Sequence, residues 1–350
     1  MAKLRLGIVG CGVIGPHHMQ ACVDSTDIDL VAVADLIEER GRAKAAEFRV
    51  PKVFREGSDL IRDPDVEAVV LAFPAGKRAE LACQALKAGK HVLVEKPPAM
   101  RAAEIEKMLR LQGSLVGACC SSRYKFLPSF EAARAYVSSG ALGEIREIYG
   151  RNIFAAGASP ISPPPPWRAS KAQNGGGILV NWSPYDLDYL LSIPGPGVEP
   201  RTAFAQCWPV AQHLRARVDP ASDAESHYVA LIRCEGGVLL HIERAEFSSL
   251  QTETAWQIIG SRASLRLHMT TTDAKRIFVD EADAGSGVKS RVLWEGHEDA
   301  SLVHSGPVRD FAAAVLQKRA PKTDLRQALL IQRIFDAIYA SASSGKAVSV

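Results

Sequence analysis

A chain of 350 residues is too long for one small core, and at a net charge of +3, with basic residues interspersed among acidic ones, it has no electrostatic case for binding nucleic acid. With 47% hydrophobic and 23% charged residues, the composition is that of a folded chain and excludes wholesale disorder. Seven cysteines, odd in number and without a CxxC pair, read as reduced thiols and not as a disulfide or zinc framework.

The apolar run LGIVG follows two basic residues but breaks into glycines at once, and no later stretch reaches the about 18 apolar residues that a membrane span needs. No signal peptide and no membrane association are expected, and a cytoplasmic location follows by elimination. LRLGIVG, LVAVAD, VEAVVLAF and KHVLVEK are short runs rich in Val, Ile and Leu, separated by amphipathic segments such as IEERGRAKAAEF and KRAELACQALKAG. This alternation predicts a parallel sheet covered on both faces, whose right-handed crossovers bring the strand C-termini to one ligand-bearing edge.

Behind the first strand, Gly10-Cys11-Gly12-Val13-Ile14-Gly15 fits GxGxxG, and Asp35 ends the next strand twenty positions after Gly15. The glycines would permit a tight turn and let a pyrophosphate approach the helix N-terminus, and Asp35 would accept hydrogen bonds from the adenosine ribose. A carboxylate there repels a ribose phosphate, and the next residue is Leu36 instead of arginine, so NAD is expected over NADP. Phe73 and Pro74 close the third apolar run, and Glu95-Lys96-Pro97-Pro98 closes the fourth, so all stand at the edge where a cofactor would lie. Adjacent side chains diverge by about 100° on a helix, which makes His17 and His18 a poor chelate, and no metal is expected.

From about Glu144 the texture changes. EIREIYGR, RTAFAQCW, HYVALIRC, GVLLHIE, TAWQIIG and SLRLHM are strand-like runs with short links, and Gly236-Gly237 marks a hairpin, so a mostly antiparallel sheet is expected. The tail, PVRDFAAAVLQKR and DLRQALLIQRIFDAIYASAS, returns to helical periodicity. The fold class is therefore an α/β dinucleotide-binding domain of Rossmann type over residues 1–122, followed by an α+β domain with a large open-faced sheet over 123–350, the terminal helix packing back on the first domain. Between Ala158 and Trp167 the four prolines Pro163 to Pro166 favour an extended stiff loop over the cleft, or an arm against a partner subunit. Trp167 and Arg168 behind them are candidates for a ring-stacking wall and a fixed positive charge. In GGGILVNWSPYDLDYL, Asn181, Tyr185 and Asp188 are spaced by four and three and would share one side of a helix. Ser183 as cap and Pro184 in the first turn would start that helix near Pro184.

Taken together, GCGVIG with Asp35, AGKHVLVEKP, SSRY, SSGALGEIREI, PWR, GGGILVNWSPYDLD and AIYASASSGKAV make the chain resemble the Gfo/Idh/MocA family (glucose-fructose oxidoreductase, inositol dehydrogenase) over essentially its full length. The resemblance implies NAD-linked oxidation or reduction of a sugar, sugar derivative, cyclitol or related diol, in a homodimer or homotetramer joined through the second domain's sheet. It also implies a catalytic lysine at Lys96 and an aspartate and histidine four apart, whose places are taken here by Asn181 and Tyr185; the following aspartate is kept as Asp188. Tyrosine for histidine resembles glucose-fructose oxidoreductase and dimeric dihydrodiol dehydrogenases. Arg123 and Tyr124 are candidate cofactor or substrate contacts. The proton chemistry follows from the residues: the Lys96 ammonium favours a Tyr185 phenolate, and Asn181 can hold an oxygen without exchanging a proton. NAD-assisted glycoside cleavage and a non-catalytic dinucleotide-binding regulator are the alternatives.

Overall fold

The computed structural model describes residues 3–157, 164–195 and 197–350. The chain divides into two compact units, residues 1–123 with 300–330 and residues 124–299 with 331–350. The expected stiff proline loop falls, for residues 158–163, outside the described residues.

The first unit runs β1 (Leu4–Val9), α1 (Gly15–Val23), β2 (Ile28–Ala34), α2 (Glu38–Phe48), β3 (Lys52–Phe54), α3 (Gly57–Arg62), β4 (Ala68–Leu71), α4 (Arg78–Lys87), β5 (His91–Val94), α5 (Ala102–Gln112) and β6 (Gly117–Cys119). All strand pairings are parallel, in the order β3-β2-β1-β4-β5-β6 of a dinucleotide-binding sheet. Period-two alternation sorts the strand side chains into two apolar layers. Val9, Val69, Leu71, Val92 and Val94 fall in one, with Ala82, Leu86 and Met108; Leu6, Ile8, Ala68, Val70 and Leu93 fall in the other, with Met19 and Cys22. Val308, Phe311 and Ala312 of α9 (Leu302–Leu316) join the second layer. Leu325 and Ala328, from the start of α10 (Leu325–Ser344), join the first.

The second unit contains α6 (Pro128–Ser138), β7 (Ile145–Ala155), α7 (Lys171–Asn174), α8 (Ile178–Ser192), β8 (Pro200–Pro209), β9 (Glu225–Cys234), β10 (Leu239–Ser248), β11 (Glu253–Gly260), β12 (Ala263–Leu267), β13 (Lys275–Asp283), β14 (Gly287–Gly296) and β15 (Val348–Ser349). Its nine-stranded sheet has the order β14-β13-β12-β11-β7-β10-β9-β8-β15. Every pairing is antiparallel except β7 with β10, which is parallel and central. Gly236 and Gly237, at φ of +68° and +84°, turn β9 into β10. Helix α8 packs across β7, β10 and β9, and it comes so close to β7 that a Cβ on Gly150 would sit 3.0 Å from Leu190 Cδ1.

The six strand-like runs of the second half all form strands, whereas β13, β14 and β15 were not expected. Helix α8 begins at Ile178, six residues ahead of the expected start near Pro184, because its first turn is capped from a distant strand. The Glu225 Oε1 atom accepts the Gly177 and Leu179 N–H groups at 2.9 and 3.0 Å and the Tyr339 hydroxyl at 3.0 Å. Burial pushes the Glu225 carboxyl above its usual range, although those donors oppose the shift. Ser183 is no cap; its hydroxyl pairs with the Tyr228 hydroxyl at 2.6 Å. The triple glycine is a packing requirement: Gly175 has φ of +85°, and Cβ atoms on Gly176 and Gly177 would fall 1.8 Å from the Tyr339 hydroxyl and 1.9 Å from the Glu225 carbonyl oxygen.

Candidate active site

In the first unit the three glycines of the turn after β1 have different duties. A Cβ on Gly10, whose φ is +99°, would lie 2.3 Å from the Ala72 carbonyl oxygen, and one on Gly15 would lie 2.2 Å from the Gly10 carbonyl oxygen. Gly12 faces open space, and Val13 beside it is 91% exposed. No side chain caps α1, whose N-cap is Ile14, so its first N–H groups can meet an anion. The turn thus fits a diphosphate, with the room at Gly12 where a backbone must approach it.

Asp35, 4% exposed, lies directly beneath this turn. Its Oδ2 accepts the Cys11 N–H at 2.8 Å and Arg40 Nε at 2.9 Å, and its Oδ1 accepts the Ile37 N–H and an Arg40 terminal nitrogen, both at 2.8 Å. Burial works against the Asp35 carboxylate, yet Arg40 and the two backbone donors hold its pKa below the usual range. Leu36 follows on the surface, 67% exposed. Arg40 stands five positions beyond Asp35, and the sequence fingerprint points only to the adjacent residue, so spacing alone does not reveal it.

At the ends of β4 and β5 the buried Arg78 guanidinium donates to the carbonyls of Phe73, Glu95 and Pro97, tying the segments around Phe73-Pro74 and Glu95-Lys96 together. The Glu95 side chain does the same from the other direction. Its Oε1 receives His18 Nε2 at 2.9 Å and Arg123 at 2.6 Å, while its Oε2 accepts the Lys96 N–H at 3.1 Å. Burial would raise the Glu95 pKa, but Arg123 and His18 hold it well below the carboxylate range. Arg123 therefore braces the Lys96 turn through Glu95.

His18, Glu95 and Cys120 place three metal-ligand atoms within 4.8 Å of one another, a juxtaposition of residues far apart in sequence. The Arg123 guanidinium on Glu95 supplies the positive charge there, which opposes a cation at the same oxygens. His17 leaves this cluster and stacks on His304 at 4.3 Å.

In the second unit, Asn181, Tyr185 and Asp188 all lie on α8 and are buried, at 6%, 4% and 0% exposure. Asn181 Nδ2 donates to the carbonyls of Arg168 and Gly177 at 2.9 and 2.7 Å, and Oδ1 accepts from Asn174 at 3.1 Å. An ionised aspartate at this position has no N–H to donate to those carbonyls. The Tyr185 ring stands edge-on to Tyr124 at 5.6 Å and to Trp182 at 5.8 Å. Asp188 accepts from Lys125 at 3.0 Å in an ion pair buried on both sides, with Ser192 at 3.3 Å.

Behind this row lies a second carboxylate that sequence reading missed. Asp186, fully buried, accepts from Arg244 at 2.8 and 3.2 Å, from the Trp256 indole at 2.9 Å and from Asn152 at 3.3 Å. The Arg244 guanidinium then lies 5.0 Å from the centre of the Trp182 ring, so the aromatic wall beside Tyr185 rests on a charged platform. Arg168 is engaged by Glu246 at 3.0 Å, and Trp167 is 37% exposed.

Comparison with known proteins agrees with this architecture. A family model described as "Oxidoreductase family, NAD-binding Rossmann fold" matches residues 4–116, and the "GFO/IDH/MocA C-terminal domain" matches residues 130–266. Myo-inositol 2-dehydrogenase of Thermotoga maritima is 24% identical over 284 residues, 81% of this chain and 80% of that protein. Trans-1,2-dihydrobenzene-1,2-diol dehydrogenase of Mus musculus is 35% identical over 199 residues, 55% of this chain and 56% of that protein. The fold is shared with a levoglucosan dehydrogenase solved in complex with NADH and levoglucosan, at TM-score 0.86 and 22% identity over 99% of both chains.

Proposed function

The chain belongs to the Gfo/Idh/MocA oxidoreductase family, and from that premise we propose that it is an NAD-dependent enzyme moving hydride between the nicotinamide and a secondary alcohol or ketone of a sugar, sugar derivative, cyclitol or related diol. The observation that carries the cofactor is the uncapped N-terminus of α1 with its open glycine, set above the Asp35 carboxylate. The substrate class is supported by relatives named for an inositol and a diol, and by a structural neighbour named for levoglucosan. The bound dinucleotide supplies the hydride acceptor; everything else is the work of side chains. Taking a proton from an ordinary phenol at pH 7 costs about 4 kcal/mol. In this proposal the Lys96 ammonium lowers that cost, and Tyr185 serves as base in oxidation and acid in reduction. Glu95 and Arg78 fix the Lys96 turn, and Tyr124 and Trp182 fix the phenol plane.

Asn181 is assigned differently from the sequence expectation. Both of its N–H groups go to main-chain carbonyls, so we assign it to holding the Trp167-Arg168 turn against α8, and not to orienting the reacting oxygen. Arg168 and Trp167 remain candidates for contacts to substrate or cofactor, and Asp188 serves as a brace through Lys125. Self-association through the open face of the large sheet is part of the proposal, supported by Phe204 paired in register with Leu231, at 53% and 40% exposure. Among the described residues no helix is long and apolar enough to cross a membrane, and all seven cysteines are free thiols, which suits a reducing cytoplasm.

The test is a panel of sugars, cyclitols and diols followed at the nicotinamide absorbance, repeated with Tyr185→Phe and Lys96→Ala. Each variant should lose at least about 100-fold in kcat, the size of a general acid-base contribution. Unchanged turnover in both would remove the assigned roles.

A further inference from the structure

The Asp35 carboxylate has no acceptor site left for a ribose. A carboxylate offers about four lone-pair positions, and the Cys11 and Ile37 N–H groups and the two Arg40 contacts occupy all four. The two backbone donors belong to the turn and to the start of α2. Arg40 is the partner that can leave: its side chain is 43% exposed, against 2% for Asp35.

The position of Arg40 is otherwise unfavourable. It stands in the first turn of α2, where the helix dipole favours the acidic Glu38 and Glu39 and disfavours a cation. The forked pair with Asp35 offsets that cost. One turn further, Lys44 pairs with Glu47 at 2.7 Å, and the charges of both Arg40 and Lys44 are felt at Cys11 in the glycine turn.

Resting on the dinucleotide reading above, we propose that Arg40 sets cofactor choice by standing in for the ribose at Asp35. A ribose with a free 2′-hydroxyl must displace the guanidinium to reach the carboxylate, so Arg40 competes with NAD. A ribose bearing a 2′-phosphate meets the displaced guanidinium as a bidentate anion partner, so Arg40 offsets the repulsion from Asp35. The chain accordingly accepts both dinucleotides, with a narrower preference for NAD than an aspartate at this position alone would impose.

The test is equilibrium binding of NAD⁺ and of NADP⁺ to the apo protein by calorimetry, for wild type, Arg40→Gln and Arg40→Lys, with circular dichroism to confirm folding. Wild type should bind both. Arg40→Gln should bind NAD⁺ about threefold to tenfold tighter, as a displaced ion pair is no longer broken, and NADP⁺ at least about tenfold weaker, the worth of a charge-assisted contact. Arg40→Lys, which keeps the charge but not the fork, should fall between. Parallel loss of affinity for both dinucleotides in Arg40→Gln would place Arg40 on their common adenosine part and overturn the proposal, as would unchanged affinities. A wild type that binds neither would sink the dinucleotide reading itself, and this inference with it.

Discussion

Placing an aspartate at position 181, the residue type that the resemblance implies there, should damage this protein. In Asn181→Asp two donated hydrogen bonds are lost, those to the carbonyls of Arg168 and Gly177, at a site only 6% exposed. Each neutral bond is worth about 0.5–1.5 kcal/mol. An ionised carboxylate would also face the two carbonyl oxygens at about hydrogen-bonding distance, and it escapes that repulsion by taking up a proton. From an unfolded pKa of about 3.9, protonation at pH 7 costs about 4 kcal/mol, which caps the electrostatic penalty. The expected loss is therefore about 2–4 kcal/mol at pH 7. Its pH dependence has a definite sign. The introduced carboxyl has a folded pKa raised above the unfolded one, so the variant is least handicapped below about pH 4 and loses stability as pH rises through the folded value. Urea unfolding of wild type and variant at pH 4.5 and 7.5, read from midpoints at constant slope, measures both points. A variant as stable as wild type at pH 7.5, or one that turns over faster, would show that the amide is not a main-chain staple.

The glycine turn separates packing from ligand contact. Gly10→Ala, with a Cβ 2.3 Å from the Ala72 carbonyl oxygen, should lose about 3 kcal/mol in urea unfolding, whereas Gly12→Ala should leave stability within about 0.5 kcal/mol and weaken NAD⁺ binding at least about tenfold. A Gly12→Ala protein that binds NAD⁺ normally would move the diphosphate elsewhere. Asp186→Ala strands the Arg244 guanidinium in the core and should lose about 3–5 kcal/mol, while Asp186→Leu with Arg244→Met should recover part of it; a single-variant loss below about 1 kcal/mol would contradict the buried-platform picture. Burial, aided by Arg123, His17 and His18, lowers the His304 pKa to about 4. Since that folded value lies below the unfolded one, the associated stability is complete above about pH 6.5 and is lost as pH falls toward 4; discounted for partial exposure, it amounts to about 1–2 kcal/mol. His304→Asn should flatten that decline, and an unchanged pH profile would assign it to other groups.

Local periodicity carried the parts of the fold that it can carry. Short aliphatic runs separated by amphipathic segments specify a doubly covered parallel sheet, and GxGxxG with Asp35 twenty positions on is a local arrangement that sequence spacing reports directly. Features closed over distance were out of reach. Helix α8 starts early because a carboxylate from Glu225, far along the chain, takes its first N–H groups, and glycines alone read as a break. Strand β14, GVKSRVLWEG, is mostly exposed and shows no apolar alternation, so it looks like a loop. Arg40, Arg78 and Asp186 were overlooked for one reason: a charged side chain is read as solvated until its buried partner is known. Asn181 stands out in the motif, but the use of its amide lies in two carbonyl oxygens that no residue pattern records.

The central place of β7 has a consequence for synthesis. Its neighbours β10 and β11 lie about 90 and 110 positions further along the chain. At on the order of 5–20 residues per second, a nascent β7 waits on the order of five to twenty seconds with both rims bare, longer than most strands must. Arg151, in the middle of β7, suits that wait: its charge discourages edge-to-edge sticking while the rims are open. It then reaches Glu243 on one neighbour and Glu253 on the other, so the residue that guards the newborn strand also joins it to both late-arriving companions.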